Sequence, residues 1–193
     1  MFFLISYNCL ALSKIWVNLP DREMIETERL ILKPLTYDHL MKYMRSDNSL
    51  EEDLQLNATS RAISDELREA LEYSIIPNVS DTSKNYLFST LWTIILKSEN
   101  KMVGDLCFVG EPNPEGEITI GYGLYESFRK QGFMAEAVKG IISWASQQPS
   151  VKSIIAETDI DNVDSSAILL KNNFVIIGAD EMIYKWQLII TCN

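Results

Sequence analysis

The stretch with most chemistry in it is Tyr125 to Ala137, YESFRKQGFMAEA, where Arg129, Lys130, Gln131, Gly132, Phe133 and Met134 lead into an apolar helical pattern. Two cations and a glycine stand where a helix begins. The first backbone N–H groups of a helix have no acceptor inside it, and together with the helix dipole they make a site for an anion. Gly132 lets the backbone come close to a phosphate, while Arg129 and Lys130 can add charge-assisted hydrogen bonds. Alone, this pattern is equally that of a solvated loop, and its glycines match neither the nucleotide P-loop nor the dinucleotide-binding motif. Order along the chain gives it weight. A strand interrupted by Gly121 and Gly123 precedes the loop, and a later strand and helix carry Asn162 and Ser165.

The elements that must position these residues are legible as periods. Leu30, Ile31, Leu32 and Leu35 form a first strand closed by Pro34 and Thr36. Thr36 and Ser64 then read as N-caps of two helices, the second with Asp65 and Glu66 in the turn that the helix dipole favours for acids. Residues 86–96 and 102–109 are rich in β-branched and aromatic types and read as a hairpin, followed by a strand over 117–125. Glycine inside a strand marks a bulge or a close approach of backbone or ligand. Met134, Val138, Ile141, Ile142 and Ala145 recur at helical spacing, after which strand 154–158, helix 165–171 and strands 174–177 and 183–190 complete the chain. This order implies a mixed sheet with helices on its faces. Tyr86, Phe88, Trp92, Trp144 and Trp186 read as core aromatics.

Composition narrows the function classes. A chain of 193 residues suits one domain, and a formal net charge of -10 argues against a nucleic-acid partner, which requires a surplus of Lys and Arg. An acidic surface suits a basic substrate, and it equally suits simple solubility. Cys9, Cys107 and Cys192 have no paired spacing, so they read as reduced thiols of a cytoplasmic protein; His39 reads as a solvated helix residue, and no metal site is expected. Residues 1–23 include an apolar run from Phe2 to Leu12, shorter than the ~20 residues a membrane span needs. No basic residue precedes that run. We expect residues 1–23 to be an upstream extension, Met24 to be the natural start, and residues 24–193 to be the domain.

The loop resembles the acetyl-CoA signature of GNAT N-acetyltransferases, in which Arg or Gln, two residues, Gly, one residue, and Gly or Ala precede the helix. Arg129 and Gly132 match, and Met134 replaces the small sixth residue. From about Ile25 to Leu188 the chain is similar to the ribosomal-protein-alanine N-acetyltransferase branch: Thr27 to Leu35, Val103 to Leu106, Ile120 to Leu124, Glu136-Ala137, and Asn162, Ser165, Lys171 and Phe174 all fit. Asn173 stands where glycine is usual. The resemblance implies an α+β fold, a mixed and mostly antiparallel sheet of six to seven strands with helices on both faces. It implies acetyl-CoA as cosubstrate, an amine acceptor, no metal, and relatives that often pair as homodimers. It places the pantetheine arm against backbone groups of Leu124, Tyr125 and Glu126, the diphosphate on Arg129 to Met134, and the arm or adenosine end near Asn162 and Ser165, which are also helix-cap candidates. Glu117 is the candidate base, sharing a strand face with Thr119 and Gly121; a solvated strand-end glutamate is the other reading. Tyr122 is the candidate acid, since Leu169 and Leu170 stand where relatives carry a tyrosine. A catalytically silent acyl-CoA sensor is the alternative to an enzyme.

Overall fold

The computed structural model describes residues 23–190, so residues 1–22, and with them nearly all of the expected extension, lie outside the described residues. Strand β1 (Ile25–Glu26) pairs with β2 (Leu30–Pro34), after which helices α1 (Tyr37–Arg45), α2 (Ser49–Asp53) and α3 (Asp65–Ala70) follow. A π-helical turn over Leu71–Ile75 joins α3 to α4 (Ile76–Ser80). Then come β3 (Leu91–Leu96), β4 (Lys101–Phe108), β5 (Glu117–Leu124), α5 (Phe133–Ala145), β6 (Ser153–Asp159), α6 (Val163–Lys171), β7 (Val175–Ala179) and β8 (Ile183–Ile189).

These strands form one sheet of eight, in the order β1-β2-β3-β4-β5-β6-β8-β7, rather than the expected six to seven. The additional strand is β1, whose two residues pair with Leu32 and Ile31 and are too few to display any alternation in sequence. Only the β5–β6 pair is parallel. Helices cover both faces, as expected. Leu32, Trp92, Ile94 and Ile154 pack under α5 with Val138 and Ile141, while Leu35, Leu91 and Ile95 pack under α1 to α4 with Leu40, Tyr43 and Leu71. Every residue of β3 is buried, because both of its faces are covered. Residues 86–88, read as strand, instead form a short 3-10 turn capped by Asn85 and packed against the core. Phe88 and Trp92 each pack at 5.2 Å in a tilted arrangement on Trp144, so their aromatic character serves packing.

His39 corrects its reading as a solvated residue. Thr36 and His39 cap α1 reciprocally, each backbone N–H donating to the other's side chain at 3.3 Å. The imidazole is largely buried and lies 3.3 Å from Asp53.

Two irregularities shape the centre of the sheet. The β3–β4 register slips between Ile94 and Ile95, so that Val103 bulges out between paired Met102 and Gly104. A Cβ on Gly104 would come within 2.4 Å of the Gly123 carbonyl oxygen, so only glycine allows β4 and β5 to approach there. The second irregularity is a split. Strands β5 and β6 pair only over Glu117–Thr119 and Ser153–Ile155, then continue apart to Leu124 and Asp159.

Candidate active site

The split between β5 and β6 opens a cavity of about 440 Å3. Tyr122, Leu124, Arg129, Lys130, Gly132 and Met134 line it from β5 and the loop, and Asn162 and Ser165 face them from the start of α6. A second cavity of about 290 Å3 fills the throat of the split and shares Tyr122, Asn162 and Ser165 with the first.

Strand alternation decides which backbone groups face the gap. The Thr119 carbonyl accepts from Val109, just past the end of β4, and the Tyr125 N–H donates to Val103 in β4, at 2.9 Å each. Even-numbered residues therefore point the other way, and the N–H groups of Tyr122 and Leu124 turn toward the gap, beyond the reach of the β6 pairing. Of the three residues expected to offer backbone groups, Leu124 turns its N–H to the gap. The Tyr125 N–H is committed to Val103, and the Tyr125 and Glu126 carbonyls accept from Phe128 and Arg129 within a tight turn.

The loop has the backbone of an anion cradle. Lys130 and Gly132 both adopt left-handed conformations, with φ of 59° and 79°, and such alternation folds successive N–H groups toward one concavity. Gly132 is the N-cap of α5 and brings no side-chain acceptor to the first turn. Met134, bulkier than the small residue usual at its position, is buried in the core beneath the loop and forms part of the cavity wall. Arg129 and Lys130 are exposed at the rim, with the Arg129 Nε 3.4 Å from the Leu124 carbonyl. Across the gap the Asn162 side-chain Oδ1 accepts from the Ser165 N–H at 3.0 Å, so these two residues cap α6 and line the site together. Tyr122 donates from its hydroxyl to the Ser165 carbonyl at 3.4 Å, and burial pushes its pKa up to about 12.

Several of the expected residues turn their side chains away from the cavity. Phe133 is buried beneath the Arg29 guanidinium, Gln131 offers its carbonyl to Arg29 at 3.1 Å, and Glu126 is exposed in the turn after β5. Glu117 lines neither cavity; its carboxylate accepts from Asn113 and Gln187 at the far end of β5, seven residues from Leu124, a span of about 23 Å. The carboxylates in the throat are Glu157 and Asp159. Ala156 belongs to the core under α5, so alternation along β6 directs Glu157 and Asp159 to the opposite face. The change from the apolar run Ile154–Ala156 to Glu157-Thr158-Asp159 was the sequence signal of this opening.

That opposite face also holds a buried polar cluster. Asp105 is only 7% exposed and accepts from the Tyr43 hydroxyl at 2.7 Å and the Tyr125 hydroxyl at 3.1 Å. Burial pushes its carboxyl up to about 6, against the opposing pull of the two tyrosines. Arg61, arriving from the loop after α2, forms a buried ion pair with Glu51 and stacks 4.7 Å above the Tyr43 ring. Cys107, beside Gly121, has its thiol pushed up to about 11 by burial. Among the described residues no group of three or more His, Cys, Asp or Glu could hold a metal, and no helix is long and apolar enough to cross a membrane.

Comparison with known proteins agrees with this geometry. Residues 29–175 match the family model described as an acetyltransferase (GNAT) domain. The chain is 28% identical over 153 residues to an uncharacterised N-acetyltransferase of Bacillus subtilis, covering 79% of this chain and 90% of that protein. Its fold is similar to that of a ribosomal α-N-protein acetyltransferase solved with coenzyme A, with TM-score 0.63 and 19% identity over 89% of this chain and all of the other. A ribosomal-protein alanine acetyltransferase from Vibrio fischeri aligns with TM-score 0.60 and 17% identity, over 86% of this chain and 96% of the other. With one family model spanning most of the sequence, from the turn before β2 into β7, the chain belongs to the GNAT acetyltransferase family.

Proposed function

We propose that this chain transfers the acetyl group of acetyl-CoA to a primary amine by direct attack within a ternary complex. One observation carries the reading: a gap edged by unpaired strand amides opens onto an uncapped helix start flanked by Arg129 and Lys130. The loop from Arg129 to Met134 would receive the diphosphate. The gap-facing amides of β5 would receive the pantetheine arm, in place of the neighbouring strand that departs at Thr119.

In this arrangement the Leu124 N–H takes the thioester oxygen and stabilises the negative charge that develops on it. The amine enters as an ammonium from the face opposite α5, and Glu157 takes its proton, directly or through one water, to leave the neutral nucleophile. The new C–N bond forms, the C–S bond breaks, and coenzyme A departs as a thiolate. Tyr122, with its pKa near 12, stays protonated and keeps its hydrogen bond to the Ser165 carbonyl; solvent supplies the thiolate's proton, because a phenol of that pKa is a weaker acid than a thiol near 8.5. Glu157 and Asp159 in the throat, with Asp164 at the cofactor cavity and a net charge of -10, favour an acceptor that arrives as a cation, such as a protein N-terminus or a polyamine.

The test is release of free thiol from acetyl-CoA in the presence of N-terminal peptides, polyamines and amino sugars. Turnover with at least one amine class is expected. Coenzyme A binding without turnover on any of them would instead make the chain a sensor.

A further inference from the structure

Arg29 lines neither cavity, yet it touches three residues of the anion loop and its helix. Its Nη1 donates to the Gln131 carbonyl at 3.1 Å, and its guanidinium lies 4.6 Å above the Phe133 ring. Its Nε meets a Glu136 carboxylate oxygen at 2.7 Å. Gln131 is the residue between the two left-handed positions, Lys130 and Gly132, and a Cβ on Gly132 would sit 3.5 Å from Arg29 Nη2. The guanidinium therefore backs the turn from the side away from the cavity.

Glu136 supplies the second half of the observation. It stands in the first turn of α5, the turn that would also receive the diphosphate. Its carboxylate accepts from the Thr27 hydroxyl at 2.6 Å, the Arg29 N–H at 2.8 Å and the Arg29 side chain. Burial pushes its carboxyl up, but these hydrogen bonds outweigh that push and hold it below the ordinary glutamate value, so it is ionised at neutral pH. An ionised carboxylate and a bound diphosphate in one helical turn repel each other unless a cation stands with them.

We propose that Arg29 is a positioning residue for the cosubstrate: it holds the loop in its left-handed shape and cancels the Glu136 charge that the diphosphate would otherwise face. This rests on the reading of Arg129 to Met134 as the diphosphate site. The fold does not depend on Arg29 alone to seat α5, because Gly140 packs so closely on the β1–β2 turn that a Cβ there would lie 3.0 Å from Thr27.

Calorimetric titration of coenzyme A, and of pantetheine, which lacks the diphosphate, tests both halves. Arg29→Gln should weaken coenzyme A binding about tenfold, the size that lost charge-assisted and helix-terminus contacts reach, and leave pantetheine binding unchanged. Adding Glu136→Gln to that variant should recover about threefold of the loss, since the uncompensated carboxylate is then gone. Unchanged coenzyme A affinity in Arg29→Gln, an equal loss for both ligands, or a double variant as weak as the single one overturns the proposal. Arg29→Lys, which keeps the charge, guards against misfolding and should fall between wild type and Arg29→Gln. A wild-type protein that ignores coenzyme A would instead overturn the diphosphate reading itself.

Discussion

The loop before α5 and the buried cluster around Asp105 handle charge in opposite ways. Beside α5, Arg129 and Lys130 are exposed and neither enters an ion pair among the described residues. Beside α1 to α4, Glu51, Arg61 and Asp105 are buried and matched with one another or with tyrosine hydroxyls. A charge kept for a ligand has to stay hydrated and unmatched until the ligand arrives. A charge kept for structure has to be matched, because isolated burial costs several kcal/mol. Tyr125 joins the two regimes: its hydroxyl bonds to Asp105, while its backbone anchors the end of β5 where the gap begins.

The sharpest way to break this contrast is to remove a charge from the throat. Glu157→Gln should lower kcat about a thousandfold, within the range general-base groups contribute, with coenzyme A affinity unchanged by calorimetry. A kcat within a few-fold of wild type would move the base elsewhere.

The buried cluster is next. Asp105 has its pKa raised from 3.8 to about 6, so between those values the native state holds a proton that the unfolded chain has released. Stability from this group is therefore fully present below about pH 4 and declines by about 3 kcal/mol as pH rises through 6. Asp105→Asn does not titrate. Urea melts at about pH 4 and pH 7 should show the variant gaining on wild type by about 3 kcal/mol at the higher pH. An unchanged difference would mean that the carboxyl titrates normally.

The smallest effect belongs to the exposed loop. Gly132→Ala meets no clash, since the added Cβ has only the Arg29 side chain at 3.5 Å, but a φ of 79° costs an L-residue about 1–2 kcal/mol. Coenzyme A affinity should fall about tenfold, read by the same calorimetry. A loss no larger than twofold would mean that the loop binds its ligand in another backbone shape.

Much of this was legible in the sequence, for identifiable reasons. Long periodic segments such as β5 and α5 declare themselves, and the loop between them carries its cations and glycine within six residues. Asn173, which departs from the family pattern, is explained by its backbone: with φ of 64° it ends α6 in the left-handed region, which asparagine tolerates better than most residues. What escaped depends on distant pairing. Glu117 and Glu157 both stand in strands, and the parallel register places Glu117 where the sheet is closed and Glu157 where it has opened. The π-helical turn between α3 and α4 leaves no periodic trace in a stretch of five residues. Arg29 and Glu136 stand 107 residues apart, so neither announces the other.

That separation bears on how the protein matures. A contact closing so long a stretch of chain forms late, because the intervening segment loses its freedom before any local reward is collected. The cradle behind Gly132 then takes shape only once the start of the domain has docked on α5. On the proposed reading of the loop as the diphosphate site, cosubstrate at saturating concentration would selectively protect molecules whose two distant segments have met.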